Sequence, residues 1–212
     1  MKKIVLALAM AGACMPVAAQ AQDGDYGYED ERPAPASVDK AGIRFEGRVF
    51  YERIGDPEDE VIYELGDAVG FGGEIGYDFA AGDNLVVGPY FTYDVSNVES
   101  CDGDLCLGSD GFWAAGLHVG LTTGDTGLVY GKLGYSQQSL TLEGTFYDPI
   151  LDQTFTFDET EKAGGYNFAF GYEHGFSENA YGRLELGVSE NYDLYDFDFQ
   201  RTNIGAAIGV RF

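Results

Sequence analysis

The 212-residue sequence is short of cations, of cysteine and of long apolar runs. Lys and Arg number 12 against 36 Asp and Glu, a formal net charge of −24. So acidic a chain repels the phosphate backbone and is a poor nucleic-acid binder. After the first two dozen residues no apolar stretch is long enough for a membrane helix, and the mean hydropathy of −0.16 reads as that of a soluble protein. Three Cys and two His offer few ligands for zinc-type chemistry, and no cofactor is implied. What the chain has in quantity is 31 Gly, 15 Tyr and 15 Phe. That mixture suits closely packed strands and aromatic belts at a membrane interface.

The N-terminal end reads as an address. Lys2 and Lys3 precede an apolar stretch, Ile4 to Ala13, and Ala19-Gln20-Ala21 forms an A-x-A cleavage site. Residues 1–21 are therefore expected to be a secretory signal peptide, excluded from the fold. A rival reading takes Ala11-Gly12-Ala13-Cys14 as a lipoprotein processing site, although Ala11 stands where such sites usually carry Leu. Cleavage after Ala21 leaves ten basic residues against 36 acidic ones. Residues 22–41 are rich in Asp, Glu, Pro and Ala without periodicity, as in a disordered periplasmic leader.

From Gly42 apolar and polar residues alternate almost without pause. Strands are expected at 42–53, 68–79, 85–95, 112–122, from 128 past 137, 164–176, 180–189 and from 203 to the end. Thr154-Phe155-Thr156-Phe157 offers an early start to the sixth. Pro89 removes a ladder donor, and a bulge is expected there. Tight turns fall at 80–84, 123–126 and 177–179, and longer connections at the acidic 55–67, at the Cys101–Cys106 loop, around Asp148-Pro149-Ile150 and at the acidic 190–198. Alternating long and short connections are the pattern of a barrel with both termini in the periplasm. Each strand has about the 9–11 residues needed to cross obliquely. Tyr51, Tyr93, Trp113, Tyr135 and Tyr166 would form an outer girdle, and Tyr77, Phe79, Tyr172, Phe176 and Phe212 an inner one. A membrane protein without spanning helices must close its sheet, because hydrocarbon cannot satisfy a free edge.

The segment from Phe168 to Asn179 and the ending Gly209-Val210-Arg211-Phe212 resemble the small outer-membrane β-barrel family, which includes the OmpA/OmpX-type and opacity-protein barrels. The resemblance spans 42–212 and implies an all-β, eight-stranded antiparallel up-and-down transmembrane barrel in the cell outer membrane. It further implies that Ile204, Ile208, Val210 and Phe212, on one face of the last strand, address the chain to the barrel-insertion machinery. The sequence stops at that strand, so a peptidoglycan-binding domain like that of full-length OmpA-type proteins is not expected.

The inward parity collects Arg44, Glu46, Arg48, Glu52, Glu74, Asp78, Asp94, His118, Lys132, Glu173, Arg183, Glu185 and Arg211. An eight-stranded barrel is just wide enough for side chains to fill. Mixed charges there make a paired polar plug, with a gated or narrow solute path as the alternative. The leading expectation is thus a monomeric structural surface barrel in contact with lipid and lipopolysaccharide. The alternatives are a low-conductance passive porin and an adhesin acting through its outer loops, residues 143–160 above all. An enzyme is not expected. Lipid A deacylase barrels carry His-x-Ser-Asn, whereas His118 precedes Val119-Gly120 and His174 precedes Gly175-Phe176. Cys101 and Cys106 are expected to form a disulfide in an oxidising compartment. Asp102, Asp104 and Asp110 faintly resemble calcium ligands but lack the following Glu, and solvated loop charge is the simpler account.

Overall fold

The computed structural model describes residues 40–56, 63–148, 150, 152–194 and 197–212. The expected signal peptide and the expected leader before Lys40 lie outside them. Among these described residues nine strands follow in chain order: β1 (Gly42–Asp56), β2 (Tyr63–Ala80), β3 (Leu85–Ser96), β4 (Glu99–Asp102), β5 (Leu105–Thr123), β6 (Gly127–Asp148), β7 (Gln153–Gly175), β8 (Ala180–Leu194) and β9 (Phe197–Arg211). Every pairing is antiparallel, and the sheet closes on itself through β1–β9 and β3–β5. β3 and β4 both lie against β5, so nine strands make eight staves. At the seam, Ile43 N–H donates to the Phe212 carbonyl at 3.0 Å and Phe212 N–H returns the bond at 2.9 Å.

The alternation explains the two faces. Phe45, Val49, Phe71, Ile75, Phe91, Leu117, Leu133, Phe168, Leu184 and Ile208 point out and are exposed. Their inward neighbours are buried. An exposed apolar belt on a closed sheet is what hydrocarbon solvates. Both expected girdles sit on this outer face. Trp113 is half-buried between Phe91 and Tyr135, at ring centroid distances of 6.1 and 5.6 Å; Tyr51, Tyr93, Tyr135, Tyr166, Tyr77, Phe79, Tyr172, Phe176 and Phe212 are exposed.

Three details differ from the sequence reading. The strands are longer, with 22 residues in β6 and 23 in β7 against about 11 needed to cross. In the acidic stretches at 55–67 and 190–198 the described residues are strand. Bulges at Ile54/Gly55 and Asn191/Leu194 shift the register there and break the two-residue period that would have revealed them. Pro89 carries no bulge. The β2–β3 ladder passes over Tyr77/Pro89 and Asp78/Gly88 and resumes in the same register at Phe79↔Val87. Gly88 belongs to that gap: a Cβ there would lie 1.6 Å from the Tyr77 carbonyl oxygen.

Above the outer girdle the interior changes character. Ile54, Leu65, Val98, Leu140 and Ala163 are buried together, with Ala68, Leu107 and Phe199 packed against them. Beyond this apolar cap β6 and β7 continue as a hairpin paired out to Asp148↔Gln153, with β5 alongside β6 as far as Leu105↔Gly144.

Candidate functional site

The inside of the barrel is the candidate site. Period-2 alternation delivers a polar side chain from each stave to one narrow space, and those side chains form a continuous chain of alternating charge. Lys40 Nζ lies 3.0 Å from Glu173 Oε1, and Arg211 Nη1 lies 2.8 Å from the same oxygen. Arg211 reaches Asp78 at 3.1 Å, and Asp78 is held at 3.1 Å by Arg44. Arg44 pairs with Glu74. Lys132 lies 2.5 Å from both Glu74 and Glu185. Arg48 links Glu185 at 3.2 Å to Asp94 at 3.6 Å. Arg201 lies 2.9 Å from Asp94 and also pairs with Glu52. Glu46 bridges Arg44 at 2.8 Å and Arg183 at 2.7 Å, and Arg183 returns to Glu173 at 2.8 Å.

The chain thus joins seven cations (Lys40, Arg44, Arg48, Lys132, Arg183, Arg201, Arg211) to seven carboxylates (Glu46, Glu52, Glu74, Asp78, Asp94, Glu173, Glu185). Removing such charges from water costs several kcal/mol per ion, and only mutual pairing offsets it. Equal numbers in strict alternation meet that requirement without a counterion.

Aromatic rings supply the second layer of support. Arg183 lies 4.4 Å above the Tyr130 ring, Arg211 4.7 Å above Tyr181, and Arg201 4.0 Å above Phe112. Cations held over ring faces gain quadrupole attraction that is stronger when desolvated. Tyr130 Oη donates to Glu185 and Tyr181 Oη to Glu46, each at 2.9 Å. Two cavities of about 10 Å³ each remain within the network, each about large enough for one water. The larger recesses lie toward the ends. One of about 510 Å³ is bordered by Lys40 and the turns near Asp83 and Asp125; one of about 430 Å³ lies beside the disulfide hairpin.

All thirteen residues of inward parity named from the sequence face the lumen, twelve of them in the ion-pair chain. The thirteenth, His118, is fully buried, with Nδ1 3.0 Å from Asp78 Oδ1 and Nε2 3.4 Å from Arg183 Nη2. Two members were missed. Lys40 falls within the stretch expected as leader, yet its ammonium is buried and also donates to the Thr126 carbonyl at 2.7 Å. Arg201 falls between the acidic connection and the last expected strand, although it shares the parity of Asn203 and Arg211. His174 lies at the inner interface, stacked 6.4 Å from Tyr172.

Cys101 and Cys106 are register partners and are disulfide-bonded, pinning the β4–β5 hairpin at its Gly103 turn (φ +64°). Among the described residues the one grouping of metal-ligand type is Glu99 with these two cysteines, whose sulfurs are already bonded to each other. Ile204, Ile208, Val210 and Phe212 share the exposed face of β9 and its end. The described residues between 143 and 160 belong to the outer part of the β6–β7 hairpin. There Tyr147 Oη donates to Asp152 at 2.6 Å, and that carboxylate raises the phenol pKa.

No protein-family model and no curated protein matches the sequence. Solved structures do match its fold. The attachment invasion locus protein Ail of Yersinia pestis superposes with a TM-score of 0.51 at 12% identity, over 80% of this chain and 99% of Ail. Ail in complex with the heparin analogue sucrose octasulfate gives 0.50 at 14%, over 79% and 99%. Neisserial surface protein A gives 0.52 at 12%, over 81% and 98%. With a closed antiparallel ring of eight staves, an apolar outer belt and a polar interior, the chain has the fold of the Gram-negative outer-membrane β-barrels.

Proposed function

We propose that the protein is a structural surface barrel of the outer membrane whose lumen is a filled polar core rather than a conduit. The observation that carries this reading is the unbroken chain of ion pairs from Lys40 to Glu52, closed above by the apolar cap around Leu140. A solute would have to part several buried pairs, each costly to break singly. The belt faces bilayer lipid and lipopolysaccharide, the last strand serves the insertion machinery, and the barrel acts as a monomer. The test is conductance of the purified full chain in planar bilayers. No discrete openings are expected; steady single-channel steps would overturn the reading in favour of a passive porin.

A second role rests on the β6–β7 hairpin. Among the described residues, β7 from 153 to 163 is paired with β6 alone, since β8 joins it only at Gly164↔Tyr192. A strand edge of that length beyond the membrane can receive an extended segment of a partner. Ail, which shares the fold, is named as an attachment invasion locus protein. Loss of adhesion to host cells or matrix on removal of residues 143–160 is the expected result, and unchanged adhesion would overturn the role.

A further inference from the structure

The inward face of β6 does not end where the core ends. Leu140 is buried in the apolar cap, and Leu142, Gly144 and Phe146 follow it on the same face. Their cross-strand neighbours continue the surface: Leu107 opposite Leu142, Leu105 and Phe157 flanking Gly144, Phe155 opposite Phe146. These side chains touch. The Phe146 and Phe155 rings stack at 5.3 Å. Phe157 lies so close over Gly144 that a Cβ there would meet its ring at 2.4 Å and Leu105 at 3.0 Å. Leu105, Phe146, Phe155 and Phe157 are nonetheless 37–55% exposed. An apolar stripe therefore climbs out of the capped core onto the open hairpin.

Lipid does not cover it. The stripe lies on the lumen side of the sheet, and Phe146 stands eleven residues beyond Tyr135 of the outer girdle, about 35 Å of strand. Charge says what does. Seven of the chain's cations are inside the barrel, so among the described residues the hairpin and its surroundings carry Glu99, Asp102, Asp104, Asp110, Glu143, Asp152, Asp158, Glu159 and Glu161 against Lys162, with Glu159 and Glu161 of the stripe's own parity and the register partners Glu143 and Asp158 on the opposite face. A second copy would bring carboxylates against carboxylates, and a sulfated polyanion of the kind held by Ail would be repelled.

We infer that the stripe and the acidic groups around it form a docking surface for a basic polypeptide segment of another protein, one that alternates Lys or Arg with large apolar residues. This rests on the hairpin being a partner-binding element and adds the chemistry of the partner. The apolar side chains bury against Phe146, Phe155 and Phe157, and the cations meet the carboxylates. Aromatic anchors set the strength and charge sets the choice of partner.

The test uses the full chain in phosphatidylcholine nanodiscs, with empty nanodiscs as reference, and three 14-residue synthetic peptides: alternating Leu-Lys, Leu-Glu and Ser-Lys. The Leu-Lys peptide is expected to bind barrel-bearing discs about tenfold tighter than the other two. Its affinity should fall about tenfold between 0.05 and 0.5 M NaCl. F146S combined with F157S should lower it by about tenfold, with unchanged heat-modifiable migration on gels showing the barrel intact. Equal binding of Leu-Glu, a salt-independent affinity in the unaltered chain, preference for sucrose octasulfate, or self-association that excludes the peptide would overturn the inference. Should trimming residues 143–160 abolish host-cell adhesion while Leu-Lys does not bind, the hairpin remains the adhesive element and the proposed partner chemistry is wrong.

Discussion

Arg201 and Asp94 stand 107 positions apart in sequence and meet at 2.9 Å inside the barrel, where Arg201 also holds Glu52. Arg201 is the outermost cation of the ion-pair chain, directly beneath the apolar cap.

Replacing it leaves two buried carboxylates with less positive charge. Arg201→Met is expected to destabilise the folded barrel by about 3–5 kcal/mol, read from the urea midpoint in detergent or lipid. Adding Asp94→Asn and Glu52→Gln should restore much of the loss, because the uncompensated charge and not the lost contact dominates the cost. A triple variant no more stable than the single one would contradict this account.

The cap makes a different prediction. Leu140 is fully buried among Ile54, Leu65, Val98 and Ala163, so Leu140→Ala should cost about 2–5 kcal/mol locally. Because the cap lies beyond the girdle, the loss should appear as faster proteolysis of the outer part of β6 and β7, while the membrane-embedded part stays protected. Uniform loss of protection would show instead that cap and barrel unfold as one unit.

The belt gives a third. Leu117 lies on the outer face of β5 midway between Trp113 and Leu121 and is 56% exposed. Leu117→Arg should lower stability in a bilayer by about 2–4 kcal/mol. An equivalent charge above the girdle, as in Thr141→Arg, should have little effect. Equal penalties at the two sites would remove the bilayer from that part of the surface.

The barrel was legible wherever the two-residue period ran unbroken, and the inward parity alone placed residues as distant as Arg44, Lys132 and Arg211 in one space. What it did not give was partnership, since a parity says which side chains face inward and not which oxygen each nitrogen meets. The errors have physical causes. Lys40 precedes the first alternating residues, and only the fold brings it to Glu173. Arg201 lies beyond a bulge in a stretch whose acidity resembles a loop. Tyr130 and Tyr181 carry inward parity, but rings suggest membrane belts unless the cation above each ring is seen. Pro89 shows the reverse case, in which a local rule anticipated a bulge and the sheet kept its register by omitting two pairings.

The seam between Ile43 and Phe212 governs when the molecule can become whole. Until those partners meet, β1 and β9 each present a row of unsatisfied amides, and hydrocarbon offers no substitute for them. Assembly must therefore shelter two bare borders for as long as the remaining staves are being laid down. Release into the bilayer therefore waits upon the pairing of Ile43 with Phe212, and that contact sets the clock for closure.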